Sequence, residues 1–533
     1  MTTVLTSQLR TSDETYLRNR TAQEQNLAEL EEQIAAAIAG GGPRYQQRHH
    51  DRGRLLARER IELLLDRDAS FLELSTLAAW GSQFTVGASI ITGIGVVSGV
   101  ECMLIAHDPT VRGGAMNPFS LKKTLRALEI ARINRLPVIN LVESGGADLP
   151  SQSELFVQAG KIFHDLTELS SLAVPTIALV FGNSTAGGAY VPGMCDYAVL
   201  VDRQAKVFLG GPPLVKMATG EDADDEELGG AAMHAKVSGL ADHFAADERD
   251  AIRIGRQIVS ELRWRKLGPG PTLPADEPVF DPDELLGIAP SDIKVPFDPR
   301  EVLARVVDGS RFGEYKPLYG TSLVTGWASV HGYPVGVLAN ARGVLFSEEA
   351  KKASEFIQLA NQTDTPLLFL QNTTGYMVGK QYEQGGIIKD GSKMINSVAN
   401  SQVPHITVNM AASFGAGNYG MSGRAYDPRL MFSWAGAKLA VMGAAQLAGV
   451  LSIVAKQSAA SSGREFDVEA DERQRAAIEA QIAEESHAFF VTARLYDDGL
   501  IDPRDTRTVL GIALSAAHSN HVAGQRGYGV YRM

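Results

Sequence analysis

The sequence predicts an α/β protein made of two tandem copies of one domain. Three observations support this fold class. Short apolar runs typical of buried strands alternate with longer segments of helical spacing, a pattern that predicts βαβ units. The chain has 533 residues, more than a single hydrophobic core usually holds. Finally, the sequence matches itself at a nearly constant spacing.

The repeat covers two consecutive strand–helix units. Three pairs of positions, at the start of a helix and before two strands, are each 229 residues apart. These pairs are Lys122 and Lys351, Pro137 and Pro366, and Pro175 and Pro404. Upstream, Gly99 and Gly332 are 233 residues apart, so one loop is four residues shorter in the second copy. A register kept through two units indicates an internal duplication.

The most informative stretch of each copy is a turn of small residues after a strand. In the first copy an apolar run over residues 175–181 leads into residues 183–190 (NSTAGGAY), and Pro192 follows, where proline fits only the first turn of a helix. In the second copy the corresponding stretch is 413–421 (SFGAGNYGM). The first amide groups of a helix have no partner inside it, and the helix dipole reinforces them. Such amides stabilise negative charge that develops on an oxygen.

A tight turn without a chemical role is the alternative for either stretch alone, since glycine is the usual residue of a strained turn. The repeat favours the functional interpretation, because a spacing of 229 takes Gly187 and Gly188 onto Ala416 and Gly417. We therefore predict two anion-stabilising sites that act on one reaction.

Composition shifts divide the chain into four parts. Residues 1–86 are predicted to form a helical segment packed on the first domain, with helices over 14–39 and 57–65. The first domain is assigned to 87–267, a proline-rich linker to 268–299, and the second domain to 300–533, with a helix over 473–494. Between the first two helices, residues 48–54 (RHHDRGR) suggest either a metal or phosphate site or a salt-bridged surface loop. Charge clusters are usually solvated, which favours the surface loop.

Composition also excludes several classes of function. The net charge of −12 argues against non-specific nucleic-acid binding. Cys102 and Cys195 are too few for a four-cysteine zinc site or a disulfide framework, and fit a reducing compartment. No run reaches the roughly 18 apolar residues of a membrane span, and there is no secretory apolar core or P-loop. We expect a cytoplasmic protein without a metal, a nucleic-acid partner or a membrane partner.

Six stretches together resemble one known family over nearly the whole chain. They are 48–61 (RHHDRGRLLARERI), 108–114 (DPTVRGG), 184–192 (STAGGAYVP), 210–216 (GGPPLVK), 414–421 (FGAGNYGM) and 423–426 (GRAY). The sequence resembles the carboxyltransferase (β) subunits of biotin-dependent acyl-CoA carboxylases. The stretch 414–421 is closer to the 3-methylcrotonyl-CoA and geranyl-CoA branch than to the propionyl-CoA branch.

The resemblance implies two crotonase-like domains, with acyl-CoA on the first and carboxybiotin on the second. It implies that the amides of Gly187 and Gly188 hold the thioester oxygen, and that those of Ala416 and Gly417 hold the biotin ureido oxygen. Carboxybiotin releases carbon dioxide in this family, and the biotin enolate then takes the substrate proton, which fits the lack of an obvious base here. Nearby turn residues are expected to contact the ligands: Ala186, Ala189, Gly145, Gly146, Gly415, Thr374 and Gly375.

The resemblance also implies partners, because the chain has neither a biotin attachment site nor an ATP-binding carboxylase half. We expect a biotin carboxylase/biotin carboxyl carrier α subunit, and a β hexamer within an α6β6 complex whose active sites lie between neighbouring subunits. The expected substrate is 3-methylcrotonyl-CoA or a related branched or unsaturated acyl-CoA. Alternatives are a saturated acyl-CoA, a biotin-dependent decarboxylase subunit, a stand-alone hydratase or isomerase, and a non-catalytic scaffold. Lys122, Lys123, Arg126 and Lys216 either contact the CoA phosphates or lie on a solvated surface.

Overall fold

Two sheets with flanking helices form the framework of the computed structural model, which describes residues 3–290, 292–293 and 295–527. The strands are β1 (Thr3–Val4), β2 (Phe71–Leu74), β3 (Ile90–Val97), β4 (Val100–His107), β5 (Val138–Ser144), β6 (Thr176–Thr185), β7 (Tyr197–Val201), β8 (Lys206–Phe208), β9 (His243–Ala245), β10 (Arg311–Tyr315), β11 (Leu323–Val330), β12 (Tyr333–Asn340), β13 (Gly343–Leu345), β14 (Leu367–Tyr376), β15 (His405–Phe414), β16 (Leu430–Trp434), β17 (Lys438–Ala440) and β18 (Leu500–Ile501).

The helices lie mainly between successive strands of each sheet. They are α1 (Glu14–Ala39), α2 (Pro43–His50), α3 (Ala57–Leu64), α4 (Pro118–Asn134), α5 (Gln152–Ser171), α6 (Tyr190–Met194), α7 (Pro212–Thr219), α8 (Asp225–Gly229), α9 (Ala231–Met233), α10 (Glu248–Glu261), α11 (Pro299–Leu303), α12 (Ser347–Gln362), α13 (Lys380–Gln384), α14 (Ile387–Asn400), α15 (Gly415–Gly420), α16 (Ala444–Ser461), α17 (Val468–Glu485), α18 (Ala488–Ala493) and α19 (Thr506–Ala517).

The two sheets have the same topology over most of their width. Within the described residues, the first sheet has eight strands in the order β2-β3-β4-β5-β6-β7-β9, with β8 beside β6. The second has ten, in the order β1-β10-β11-β12-β14-β15-β16-β18, with β13 beside β14 and β17 beside β15. Each sheet begins with antiparallel strands and continues with parallel ones from β4 or β12. The predicted α/β class and the tandem duplication are therefore confirmed.

Strand registers repeat at the spacings found in the sequence. The equivalent pairs are Met103 with Val138 and Gly336 with Leu367, then Val138 with Thr176 and Leu367 with His405. The ladders of β5 and β14 also shift register at the same place, after Val142 and after Gln371. A register shift changes the direction in which the side chains after it point. In both halves those residues lead to the small-residue turn.

Polar groups that fix the hairpin of each sheet are repeated too. A carboxylate accepts from two amides of the left-handed hairpin turn and pairs with an arginine of the last helix of its half. These residues are Asp66, Ser98, Gly99 and Arg256 in the first half, and Asp308, His331, Gly332 and Arg507 in the second. Lys123 and Lys352 are likewise equivalent, since each buried ammonium group donates to two carbonyls, one at the start of β3 or β11 and one three residues before it.

One hydrophobic core joins the two halves. Buried side chains of the first half, such as Leu121 and Ile130, belong to the same cluster as Val324 and Leu370 of the second. Burial of this apolar surface stabilises the halves against each other.

The N-terminal segment contacts both halves. As predicted, α1 covers residues 14–39 and ends at Gly40, whose φ is 53°. It packs on the 3-10 helix Pro282–Gly287 and shares a core with Phe489 of the second half, whereas α3 packs on α10 of the first. We expected residues 1–86 to be helical and to lie on the first domain. They also supply β1, which pairs with β10, and β2.

Two local predictions are wrong. Residues 48–50 end α2 rather than forming a loop, because Pro43 opens a helix at its first position, where its missing N–H costs nothing. The helix predicted over 473–494 is two helices, α17 and α18, since His487 caps the second with its ring nitrogen. Among the described residues, no helix is long and apolar enough to cross a membrane.

Candidate active site

The first small-residue turn follows β6. Residues Ala186–Ala189 form a 3-10 turn that leads into α6, and Ala186 has a left-handed φ of 53°. This conformation costs an alanine roughly 1–2 kcal/mol, and such strain is concentrated at functional sites. Gly187 is exposed and Gly188 is half-buried. Among the described residues, no side chain and no carbonyl outside the turn accepts a hydrogen bond from either amide.

The second turn follows β15 in the same way. Gly415 has a φ of 54°, matching Ala186, and begins α15. Ala416 is exposed and Gly417 is buried. Both amides lie in the first turn of the helix, where intrahelical partners are missing. In the described part of the chain, no acceptor outside the helix takes them either.

A hydroxyl group braces the loop beside each turn. In the first half, Ser144 Oγ donates to the Gly114 carbonyl at 2.7 Å and accepts from the Gly146 amide at 3.2 Å. In the second half, Thr373 Oγ1 makes the same two bonds, to Gly343 O at 3.3 Å and from Gly375 N at 3.2 Å. Gly146 and Gly375 both have positive φ. The scaffold around the two turns is thus the same.

The first turn opens into a cavity of about 120 Å³, which we call the first cavity. Its wall is mostly apolar and includes Met116 from the loop before α4, Val142 from β5, and Ile162 and Phe163 from α5. No carboxylate of the described residues lines it. The one titratable side chain that the described residues place in its wall is His107, whose pKa burial lowers below the ordinary value, so the ring is neutral at neutral pH.

The second turn opens into a larger and more polar cavity of about 640 Å³, the second cavity. Ser413, Gly415 and Ala416 lie on its wall, together with Arg424. Arg424 donates to Asp498 at 3.0 Å and is the one lysine or arginine of the described residues in this wall.

Asp498 links the second cavity to the first half. It accepts from Arg126 of α4 at 2.8 and 2.9 Å, from Arg424, and from the Met431 amide at 2.8 Å. Burial opposes its ionisation, but Arg126 and Arg424 outweigh that effect and lower the pKa of Asp498 to about 2. Among the described residues, no arginine or lysine forms an ion pair with the neighbouring Asp497, and burial raises the pKa of Asp497 to about 6. This network is not predicted from the sequence, although Arg424 lies in the GRAY stretch and two adjacent aspartates precede β18.

The predicted ligand contacts lie in different places. Ala186, Gly187, Gly188 and Gly146 line the first cavity, and Gly415 and Ala416 line the second. The others do not line these two cavities: Ala189, Gly145, Gly417, Thr374 and Gly375. The side chain of Ala189 packs into an apolar core.

Two of the four residues considered for the CoA phosphates have other roles. Lys123 is buried and donates to Ile90 O at 2.7 Å. Arg126 is buried in its pair with Asp498. Lys216 is exposed but paired with Asp222 at 2.6 Å, and Lys122 is exposed at the start of α4. Lys123 and Arg126 are therefore structural.

One group of possible metal ligands lies on α5. His164, Asp165 and Glu168 bring one ligand atom each within 4.8 Å of one another. However, Lys161 is paired with Asp165 at 2.6 Å, and an ammonium group there competes with any cation. We assign no metal to this group.

Comparison with known proteins gives the family. The model of the carboxyl transferase domain matches residues 48–528. The chain belongs to the carboxyltransferase (β) subunits of biotin-dependent acyl-CoA carboxylases. It is 65% identical over 507 residues to a probable biotin-dependent acyl-coenzyme A carboxylase beta2 subunit of Mycobacterium tuberculosis, covering 95% of this chain and 96% of the relative. Enzymes of this family use biotin and an acyl-CoA substrate.

Two further relatives come from the branch expected from residues 414–421. The chain is 49% identical over 520 residues to the biotin-dependent 3-methylcrotonyl-coenzyme A carboxylase beta1 subunit of M. tuberculosis, covering 95% of this chain and 96% of that one. The crystal structure of the P. aeruginosa geranyl-CoA carboxylase beta subunit superposes with a TM-score of 0.91 at 42% identity, covering 99% of both chains. The resemblance to this family is confirmed.

Proposed function

We propose that the two turns act as paired oxyanion sites in carboxyl transfer from carboxybiotin, carried by a partner subunit, to an acyl-CoA. The amides of Gly187 and Gly188 would hold the thioester oxygen as negative charge develops on it. The amides of Ala416 and Gly417 would hold the ureido oxygen of biotin. The observation that carries this proposal is the matched geometry of the turns, with φ of 53° and 54° at equivalent positions and amides that have no outside acceptor in the described part of the chain. Removing one such donor typically reduces turnover about 10²–10³-fold.

The second cavity suits the biotin head group. Its wall supplies the amide of Ala416 as a donor for the ureido oxygen, and a cation, Arg424, which is paired with Asp498. When bound there, carboxybiotin supplies the carboxyl group and, after its release, the base. The first cavity supports this division of labour, because no carboxylate of the described residues lines it and His107 has a lowered pKa. This chain binds and orients the reactants, while its amides hold the negative charge.

The size of the first cavity favours a short acyl group. An apolar cavity of about 150 Å³ holds a six-carbon ring. The first cavity, at about 120 Å³, therefore suits about five carbons. We propose 3-methylcrotonyl-CoA or a related branched or unsaturated acyl-CoA as the substrate, and the relative named for 3-methylcrotonyl-CoA supports this choice. A saturated acyl-CoA, or the reverse reaction in a decarboxylase complex, is the alternative.

Assembly follows from the same proposal. We infer a biotin-carrying α subunit as the partner. We also infer a β hexamer in which the first cavity of one subunit faces the second cavity of another. The complex is expected in the cytoplasm. Exposed large apolar side chains support an interface: Phe156 and Val157 on α5 are 83% and 85% exposed, and α16 exposes Ile453 and Val454. Residues 87–267 then form the acyl-CoA side and 300–533 the carboxybiotin side, with 268–299 as the linker and 1–86 joining them.

The test is carboxylation by the reconstituted complex. The chain, a biotin-carrying subunit, ATP and labelled bicarbonate are incubated with acyl-CoAs of varied length and branching. We expect label in the acyl-CoA, fastest for a branched five-carbon group. Gly187→Val should abolish most turnover, whereas Gly193→Val on the following helix should not, because a Cβ there meets only Leu240 Cδ1, at 3.9 Å. No labelled product from any acyl-CoA would refute the function.

A further inference from the structure

The two halves differ at the residue where the strand before the bracing loop shifts register. In the first half this residue is Glu143 of β5, and at the equivalent position of β14 it is Asn372. Both are buried, but only Glu143 carries a charge. We propose that Glu143, held by two arginines of the N-terminal segment, is a positioning residue for the first turn. The inference rests on the proposed function, in which this turn is an oxyanion site.

A cluster of paired charges holds the Glu143 carboxylate. Arg54 Nη1 donates to its Oε1 at 2.5 Å, and Arg60 Nη1 lies 2.7 Å from its Oε2. Arg60 is fully buried and also donates to both oxygens of Glu248, at 2.8 and 3.0 Å. Buried charges are tolerated when they are paired, and here two positive charges face two negative ones. We call these four residues the ion cluster.

The segment that begins at Arg48 divides between two environments. His49 and Arg54 point inward, to within 3.7 and 2.5 Å of the Glu143 carboxylate. Arg48 and Arg52 are exposed. Only the inward half fits the interpretation as a salt-bridged segment, and this half is anchored on the end of β5.

A short series of contacts joins Glu143 to the first turn. Ser144 follows it in the chain, and Ser144 Oγ accepts from the Gly146 amide at 3.2 Å. Gly146 lies directly against Thr185, because a Cβ at Gly146 would be 3.3 Å from Thr185 Oγ1. Thr185 is the residue before the turn Ala186–Ala189. A change in the direction of Glu143 is therefore transmitted to the start of the turn.

The ion cluster also packs on β6, the strand that leads into the turn. The guanidinium carbon of Arg60 lies 4.4 Å from the centroid of the Phe181 ring. A Cβ at Gly182 would be 2.6 Å from Glu143 Oε1, so the carboxylate occupies the place of a side chain there. The same charges thus hold both strands that carry the first oxyanion site.

The second half fixes its register shift by other means. The Asn372 amide donates to Asn340 Oδ1 at 3.0 Å, and Ala411 takes the place of the glycine under the carboxylate. The strand registers make His107 the equivalent of Asn340 in the first half. The His107 ring instead faces the Leu141 carbonyl, with Nδ1 at 3.4 Å. Because the fold forms this strand end without buried charges in the second half, the ion cluster indicates a role specific to the first turn.

Ion pairs suit a positioning role because they hold a side chain firmly. Charge-assisted hydrogen bonds between guanidinium and carboxylate groups are shorter and stronger than neutral ones. Oxyanion donors act when they lie about 2.7–3.1 Å from the charged oxygen. A misplacement of about 1 Å can cost about 10²-fold in rate. A rigid strand end behind the turn therefore contributes to turnover without touching the substrate.

The experiment compares two buried carboxylates that are paired with arginine. Glu143→Gln removes the charge and keeps the size of the side chain. Asp308→Asn, at the hairpin of the second sheet, is the matched control for lost stability, and thermal unfolding measures that loss in both variants. In the reconstituted complex we expect Glu143→Gln to lower kcat about tenfold or more with KM for the acyl-CoA unchanged, because the donors act in the transition state. Asp308→Asn should keep kcat within about twofold of wild type.

Amide hydrogen exchange of the full chain gives a readout that needs no substrate. Peptides over 183–190 and 413–421 report on the first and the second turn of one molecule. We expect Glu143→Gln to speed exchange about tenfold in the first peptide and to leave the second unchanged, because the ion cluster packs on β5 and β6. Asp308→Asn should not speed exchange in the first peptide more than in the second.

Arg54→Gln keeps the inference testable if Glu143→Gln does not fold. The Arg54 side chain is 25% exposed, and its loss removes one of the two arginine contacts of the carboxylate. We expect the same changes in kcat and in local exchange, each smaller than for Glu143→Gln.

Four results would overturn the inference while the proposed function stands. Glu143→Gln could keep the wild-type kcat, it could raise KM without lowering kcat, or both turns could exchange faster by the same factor. A loss of kcat in Asp308→Asn equal to that in Glu143→Gln is the fourth, since lost stability would then explain both. A wild-type complex that carboxylates no thioester would instead refute the proposed function, while the exchange comparison would still test the link between Glu143 and the turn.

Discussion

The two turns share a backbone but differ in the space around it. A Cβ at Gly188 would meet only Ser184 Oγ at 3.8 Å, and one at Gly187 only Phe163 Cζ at 3.5 Å. A Cβ at Gly417 would lie 2.5 Å from Thr373 Oγ1 and 3.0 Å from the Gly375 backbone. The first cavity is small and apolar, whereas the second is about five times larger and more polar, at 640 against 120 Å³.

This difference shows which features the two copies share and which features differ between them. The repeated features hold the backbone in place: the left-handed residue before each helix, the bracing hydroxyl, the buried lysine and the hairpin aspartate. The side chains that face the cavities differ between the halves. A common backbone device therefore serves two different ligands, and four experiments test how far the equivalence extends.

The largest effect is expected from Gly417→Ala. The new methyl group has no room between Thr373 and Gly375, so the turn must shift and its amides lose their alignment. We expect turnover to fall about 10²–10³-fold. The matched change Gly188→Ala meets only ordinary contacts and should cost less than about tenfold. Carboxylation rates of both variants measure this, and equal losses would show that steric room does not distinguish the turns.

Asp498→Asn tests the contact between the halves. Removing the charge leaves Arg126 and Arg424 without their buried partner, which should destabilise the protein by about 3–5 kcal/mol. Thermal unfolding at pH 8 measures the change. Because the pKa of Asp498 is lowered, this stabilisation is present above about pH 4 and is lost as the pH falls towards 2.

Asp497→Asn is the matched control for that variant. The raised pKa of Asp497 means that its ionised form is disfavoured in the folded state, so the wild type loses stability as the pH rises from about 4 to 6. Asp497→Asn should therefore be neutral or stabilising at pH 8, and its advantage should vanish below pH 4. A variant that destabilises as much as Asp498→Asn would contradict the assigned difference between the two carboxylates.

A smaller and equal effect is expected from the paired lysines. Burial lowers the pKa of both Lys123 and Lys352 to about 8. The unfolded chain holds these protons up to about pH 10.5, so stability rises with pH between 8 and 10.5. Lys123→Met and Lys352→Met should each reduce this rise by roughly 1–2 kcal/mol. Unfolding midpoints from pH 7.5 to 9.5 measure this change in stability. Unequal slopes of stability against pH for the two variants would show that Lys123 and Lys352 are not equivalent.

The smallest effect concerns acyl length. Phe163→Ala removes a wall of the first cavity and should improve kcat/KM for a ten-carbon acyl-CoA relative to a five-carbon one by about tenfold. Thr167→Ala, an exposed residue on the same helix, is the control. An unchanged ratio would place the acyl group elsewhere.

Sequence reasoning could predict the repeated backbone and not the contacts between distant residues. The spacing of 229 located both turns, because a turn depends on local residue types. It could not reveal that Arg126 is buried on Asp498, 372 positions away, since an exposed and a buried arginine look alike in sequence. For the same reason segment 48–54 was interpreted as one surface loop, although its residues point in two directions. The single helix predicted over 473–494 was wrong because His487, which caps α18, does not interrupt the sequence pattern from which a helix is predicted.

The continuous core has a consequence for folding during synthesis on the ribosome. Apolar residues on α4, including Leu121 and Ile130, share a core with strands near residues 324 and 370. The ribosome makes those strands some 200 residues later. During synthesis the first half therefore exposes an apolar surface until the second half has been made. We expect chaperones to bind this surface.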